Sequence, residues 1–113
     1  MTCIFCNIIQ KKIPAEIIFE TQELIVVQDL RPQAPTHLLI LPKKHIATLN
    51  DSQSDDAELL GHMILTAQKL AVRIGIDDSG YRLIFNVNAH GGQTVYHIHL
   101  HLLGGRQFNW PPG

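Results

Sequence analysis

Three histidines, His97, His99 and His101, stand at alternate positions directly after the run Gly91-Gly92-Gln93-Thr94-Val95-Tyr96. A strand turns successive side chains to opposite faces, so an extended segment brings all three imidazoles to one side, neighbours about 7 Å apart. Ile98, Leu100 and Leu102 then share the other side and can pack into a core. Imidazole transfers protons near neutral pH, ligates metals and can attack an electrophile. A single histidine in a strand is most often a half-buried residue with a satisfied hydrogen bond. Three in register carry a desolvation cost that points to function.

Two chemistries fit that pattern. In one, alternating imidazoles chelate a metal. In the other, the middle imidazole attacks an electrophile while its neighbours orient it and handle protons. The upstream loop favours the second. Gly91 and Gly92 allow close backbone approach, and exposed N–H groups with the Thr94 hydroxyl suit phosphate oxygens. No Asp or Glu sits beside the run to complete a hydrolytic zinc centre.

The elements that must position these residues can be read from periodicity and breakers. Residues 3–11 form a short helix with Ile4, Phe5, Ile8 and Ile9 clustered, ended before Pro14. Ile17-Ile18-Phe19 and Leu24-Ile25-Val26-Val27 are β-rich runs joined as a hairpin. Prolines 32 and 35 exclude regular structure, and His37 to Leu41 is a third strand closed by Pro42. Between Asp55 and Ile74, Leu60, Met63, Ile64, Ala67, Leu70, Ala71 and Ile74 recur at helical spacing, with Gly75 at the C′ position. Tyr81–Asn86 is the fourth strand, residues 87–92 a loop, and Val95–Leu103 the fifth strand. The expected fold is α+β: a five-stranded antiparallel sheet with one long helix and a short N-terminal helix.

The 113 residues make one domain, spanning 1–113, with a Gly- and Pro-rich tail at 104–113. At 45% hydrophobic and 17% charged, the composition is that of an ordinary globular protein. The net charge is −1, and the only basic clusters are the pairs Lys11-Lys12 and Lys43-Lys44. That excludes a nucleic-acid surface, which needs a basic stripe. No segment approaches the apolar length needed to cross a membrane. No basic region followed by an apolar stretch opens the chain, which fits a cytoplasmic protein. Cys3 and Cys6 do not make a disulfide framework.

His97-Ile98-His99-Leu100-His101-Leu102-Leu103 resembles the signature of the histidine triad superfamily, in which three histidines alternate with hydrophobic residues. The flanking Gly91-Gly92-Gln93-Thr94-Val95-Tyr96 and Gly104-Gly105-Arg106-Gln107, with Trp110-Pro111-Pro112-Gly113, are similar to its Hint branch of nucleotide-binding phosphoramidases. So are Asp29, Pro32-Gln33-Ala34-Pro35-Thr36-His37 and Pro42-Lys43-Lys44-His45. The resemblance runs from about residue 3 to the C-terminus. It implies a homodimeric α+β domain that hydrolyses purine nucleoside 5′-phosphoramidates and needs no metal or cofactor for the chemistry.

The resemblance also implies roles. His99 would be the nucleophile, forming a nucleotidyl-histidine that water then resolves. His101 would contact the phosphate and assist proton transfer, and Thr94, standing where serine is frequent, would help protonate the departing amine. His37 and His97 would orient His99. Asn86 and backbone N–H groups around Gly92, Gln93 and Thr94 would hold phosphate oxygens. Asp29 would accept both ribose hydroxyls, and Phe5, Ile13 and Leu30 would form the slot for the base. The tail would reach towards the active site of the second subunit. Gln28 stands where histidine is common, and His62 (near Glu58) and His90 read as solvated.

The Cys3-x-x-Cys6 pair is open between two small buried side chains at a helix start and a structural zinc site. Some histidine triad proteins hold zinc with such a pair and two histidines, here His45 and His97, a Cys₂His₂ set suited to tetrahedral zinc. Two other functions share the pocket: a purine nucleotide-binding scaffold without turnover, and a dinucleoside polyphosphate hydrolase. The last usually has glutamine where this chain has His101.

Overall fold

The computed structural model describes residues 3–113, so the first two positions of the expected domain lie outside it. Five strands, β1 (Ile17–Glu20), β2 (Leu24–Gln28), β3 (Thr36–Pro42), β4 (Tyr81–Ile84) and β5 (Leu100–Gly104), form one antiparallel sheet in the order β1-β2-β3-β5-β4. A short helix α1 (Ile4–Ile9) precedes it. The long helix α2 (Ala57–Ile74) connects β3 to β4, and a single turn α3 (Asn88–Gly91) connects β4 to β5. The α+β architecture is the one expected from periodicity.

The two central strands explain why their sequences are apolar without interruption. Leu24 and Val26 of β2, with Leu38 and Ile40 of β3, pack against Met63, Ala67, Leu70 and Ala71 of α2. Their alternates Ile25, Val27, Leu39 and Leu41 pack under Phe5 and Ile8 of α1 on the opposite face. A strand covered on both sides has no polar face to alternate with. His37, one position before Leu38, is thereby turned to the α1 face, and so is His101, which pairs with Leu39.

Helix α2 begins two residues later than periodicity suggests. Asp55 and Asp56 belong to a 3₁₀ turn, where the Asp56 carboxylate accepts from the Gln53 amide at 2.9 Å and pairs with Lys44 Nζ at 2.6 Å. The helix stops at Gly75, whose φ of 90° lets its amide return to Ala71 and Val72 carbonyls.

The larger departure concerns the fifth strand, expected from Val95 and observed only from Leu100. Ile40 pairs with Leu100, so continuing the register would set Pro42 opposite Ile98. Pro42 has no N–H to donate, and its carbonyl is taken by the His97 ring at 2.8 Å. Ile98 instead donates its amide to Ile46 at 2.8 Å. The fourth strand likewise ends at Ile84 rather than Asn86, and the loop expected at 87–92 contains the α3 turn. Alternation of faces survives outside the ladder: Ile98 joins the α2 core while Phe5, on the α1 face, meets the rings of His97 and His99.

Candidate active site

The four histidines of the α1 face divide into two groups, separated by what their ring nitrogens bind. His97 is fully buried, and its Nε2 lies 2.8 Å from the Pro42 carbonyl. A carbonyl only accepts, so Nε2 carries the proton and Nδ1 keeps its lone pair. That lone pair points at Cys3 Sγ (3.5 Å), Cys6 Sγ (3.6 Å) and His45 Nδ1 (3.1 Å), and Cys6 Sγ is 3.4 Å from His45 Nδ1.

These separations can be set against a tetrahedral zinc site. Zn–N bonds of about 2.0 Å and Zn–S bonds of about 2.3 Å place ligand atoms about 3.3–3.8 Å apart. The four donor atoms all lie within 4.8 Å of one another, so Cys3, Cys6, His45 and His97 fit the ion in number, type and spacing. The Pro42 carbonyl fixes the tautomer that leaves a donor lone pair, which is the usual outer support of a ligating histidine.

His99 is oriented differently from the sequence expectation. Its Nδ1 donates to the His97 backbone carbonyl at 2.8 Å, so His97 holds it through main chain and not through imidazole. Nε2 is left with its lone pair, and Phe5 stands edge-on to the ring at 5.0 Å. Burial holds the His99 pKa below its ordinary value, keeping the ring neutral.

His37 does not touch His99; it orients His101. The Gln33 amide donates to His37 Nδ1 at 3.0 Å, which leaves His37 Nε2 as the protonated nitrogen. Nε2 donates to His101 Nδ1 at 2.9 Å, with the Asp29 carboxylate close by at 3.4 Å. Burial lowers the His37 pKa against the pull of Asp29, so this contact sets a carboxylate beside a neutral ring rather than making an ion pair. His101 Nε2 must then carry a proton, and it is buried with no hydrogen-bond partner. Burial, reinforced by His99 and His37, pushes the His101 pKa down to about 4.

Asp29, His37 and His101 also have spacing compatible with a metal. The Gln33 amide argues against one. A metal on His37 Nε2 would move the ring proton to Nδ1, directly against the Gln33 N–H. The group is built as a relay of N–H donors.

A cavity of about 300 Å³ opens beside this relay, lined by His99, His101, Thr94, Asp29, Phe5, Ile13 and Leu30 among others. Seven positions expected at the site thus share one cavity. Asp29 Oδ1 already accepts from the Arg31 amide at 2.7 Å, which fixes the carboxylate at the cavity edge. Leu30 is 90% exposed and forms the rim rather than a wall.

The phosphate cradle differs from expectation. The amides of Gly92 and Gln93 donate inward to Ala89 and Asn88 at 3.0 Å each, closing the α3 turn, and only Thr94 of the three residues lines the cavity. The buried Gln93 side chain acts as a brace, accepting from Asn88 N and donating to the Ala47 and Val95 carbonyls. Asn86 lies in a second cavity of about 250 Å³ across His101, together with Arg106, Phe108 and Pro112. His90 is exposed as expected, while His62 is half-buried and faces Glu23 at 3.4 Å, not Glu58.

Sequence reasoning missed the groups that act through main chain. The Gln33 amide, the Pro42 carbonyl and the His97 carbonyl each set a tautomer, and residue type carries no signal for that role. Gln28, which stands where histidine is common, donates its Nε2 to the His37 carbonyl at 3.3 Å and lines the main cavity, a role its residue type does not signal.

Neutral imidazoles on the wall of an apolar cavity, carried by a five-stranded α+β sheet, define a small domain of histidine-based, hydrolase-like design. Residues 2–109 match the family described as scavenger mRNA decapping enzyme C-terminal binding. The chain is 46% identical to an uncharacterized HIT-like protein of Synechococcus elongatus, over 97% of this chain and 96% of the other. It superposes on a HIT family hydrolase from Legionella pneumophila with a TM-score of 0.97 and 61% identity, covering 99% and 100% of the two chains. A zinc-bound histidine triad family protein from Mycobacterium smegmatis gives a TM-score of 0.82 at 30% identity, over 100% of this chain and 81% of that one. The chain belongs to the histidine triad superfamily.

Proposed function

We propose that this protein hydrolyses purine nucleoside 5′-phosphoramidates through a covalent nucleotidyl intermediate on His99. The observation that carries the reading is the tautomer pattern: His99 and His101 line one cavity, His99 keeps its Nε2 lone pair, and the buried His101 Nε2–H has no partner among the described residues. A nucleophile and an oxyanion donor are thereby paired on one wall.

In the first step the His99 Nε2 lone pair attacks phosphorus and the P–N bond breaks. The departing nitrogen takes a proton drawn from solvent and relayed through the Thr94 hydroxyl, which is exposed at the same cavity. His101 Nε2–H and the Thr94 hydroxyl face the phosphate oxygens as charge builds, and preorganised donors of this kind are commonly the largest catalytic contribution. In the second step water attacks phosphorus, its proton leaves to solvent, and the P–Nε2 bond breaks to release the nucleoside monophosphate. Asp29 accepts the ribose hydroxyls on the lone pairs not used by the Arg31 amide. Phe5 and Ile13 enclose the base.

The Cys3, Cys6, His45 and His97 set is read as a structural zinc site. The ion would tie the start of α1 to the segment after β3 and to the histidine run, and supplies no step of the reaction. A zinc-bound relative supports this reading. A homodimer is supported by Trp110, 82% exposed on a tail rich in Gly and Pro, since a side chain of that size is seldom left in water. The partners are purine nucleoside monophosphates and phosphoramidates, and the setting is cytoplasmic.

The test is a quenched reaction with adenosine 5′-phosphoramidate, read by intact mass and peptide mapping. One nucleotidyl group should map to His99, and His99→Ala should abolish both adduct and turnover. Undiminished turnover in that variant overturns the mechanism. Tight binding of purine monophosphates with no cleavage of any phosphoramidate would instead mark a scaffold.

A further inference from the structure

The relay His37 to His101 is a pair with two self-consistent states. In the observed state both rings carry the proton on Nε2, and the His101 Nε2–H is buried without a hydrogen-bond partner among the described residues. In the other, both protons move to Nδ1, His101 donates back to His37 Nε2, and a bare lone pair faces the anion. Exchanging one for the other turns a phosphate donor into a phosphate repeller without moving a heavy atom.

Two contacts choose between the states. Asp29 Oδ2 favours a proton on His37 Nε2 from one side. The Gln33 amide, donating to Nδ1, excludes the alternative from the other. Gln33 sits in an irregular loop between Pro32 and Pro35, so its amide needs support from outside the loop. That support comes from the C-terminal tail. Arg106 Nε donates to the Gln33 carbonyl at 2.9 Å, and its Nη1 is anchored on the Gln107 carbonyl at 3.0 Å. The guanidinium also lies 4.1 Å from the Phe108 ring centroid, a cation–π contact that limits its rotamers. Gly105, at φ 90°, brings the tail so close to Pro35 that an added Cβ would lie 2.9 Å from the proline Cβ.

We infer that Arg106 is a positioning residue that, through the Gln33 amide, locks the His37–His101 pair in the tautomer that offers His101 Nε2–H to the substrate phosphate. The tail therefore acts on its own subunit's site as well as reaching outward. This rests on the reading of His101 as the phosphate-facing donor, while the tautomer itself is measurable with no ligand present.

The experiment uses long-range ¹H–¹⁵N spectra of the full-length protein at pH 7.5, with kcat and KM measured alongside. The wild type should show single Nε2–H tautomers for both rings. Arg106→Ala should populate the Nδ1–H form in both, and lower kcat about tenfold with KM nearly constant, the loss of one hydrogen bond to a charged group. Arg106→Lys, which keeps a donor, should recover most of the Nε2–H signal. Gln33→Pro removes the amide itself and should shift the tautomers with the tail untouched, so it carries the test if Arg106→Ala misfolds. Pure Nε2–H signals in Arg106→Ala and Gln33→Pro would overturn the inference, as would a fall in kcat with unaltered tautomers. If the tautomers shift as expected but no phosphoramidate is cleaved by wild type, the proposed reaction fails and the lock stands.

Discussion

Replacing His101 by glutamine should make the folded protein more tolerant of acid, although it removes a group placed at the site. His101 holds its proton affinity down from 6.5 to about 4, chiefly because its ring is buried. A depressed folded-state pKa means the unfolded chain binds the proton first as pH falls. The stabilisation is therefore complete above the unfolded value of 6.5 and is lost as pH falls towards the folded value. At pH 5 the unfolded imidazole is mostly charged and the folded one is not, a difference of about 1.5 pH units and so about 2 kcal/mol. Glutamine can accept the His37 Nε2–H and has no proton to gain. Urea unfolding at pH 7.5 and pH 5 reads the effect, and with an m-value of about 1–3 kcal/mol/M the wild-type midpoint should fall about 1 M further than the variant's. His37, His97 and His99 are depressed in the same direction and are present in both proteins, as is any metal lost in acid, so the difference between the two reads the His101 site with its coupling to His37 and His99. Equal losses in the two proteins would show that His101 titrates normally when folded, and the account of a neutral buried donor would fail.

Asp29→Asn should weaken purine monophosphate binding about tenfold, because charge-assisted hydrogen bonds to the ribose become neutral ones. The diagnostic is discrimination against 2′-deoxy-AMP by titration calorimetry. It should shrink in the variant, and unchanged discrimination removes Asp29 from ribose recognition. Cys6→Ser should abolish zinc in freshly purified protein and lower Tm by about 10 °C or more, since a ligand present at a thousand times its Kd stabilises by about 4 kcal/mol. Wild type that purifies without zinc, or whose Tm is unchanged by Cys6→Ser, would refute the metal reading.

The sequence and the structure agree where side-chain identity decides the outcome. Alternation of His97, Ile98, His99, Leu100 and His101 is enough to sort imidazoles from core, and it holds even where the strand does not form. The apolar runs of β2 and β3 are readable for the same reason: each side chain announces its own preference. What could not be read depends on backbone atoms. Nothing in the residue type of Pro42 says that its carbonyl will take the His97 ring and so stop β5 at Leu100. The amides of Gly92 and Gln93 looked free for an anion because a glycine-rich run suggests exposure, and the α3 turn consumes both. His62 has Glu58 as its neighbour along the helix, whereas its partner Glu23 comes from the β1–β2 turn, a contact only tertiary structure supplies.

The same limit explains how four chemically identical side chains acquire different tasks within one sheet face. An imidazole has two nitrogens, and fixing one by a main-chain partner dictates what the other can do. A carbonyl on Nε2 leaves His97 its lone pair on Nδ1, beside Cys3, Cys6 and His45, and a carbonyl on Nδ1 leaves His99 its lone pair on Nε2. An amide on Nδ1 makes His37 a donor, and His37 in turn makes His101 a donor. Exchanging the histidines in sequence would change nothing, while moving one carbonyl by a hydrogen-bond length would exchange their roles. Which nitrogen each ring keeps free is accordingly a property of backbone placement, and the Pro32–Pro35 loop, held by Arg106 of the tail, reaches the His37–His101 pair through the Gln33 amide.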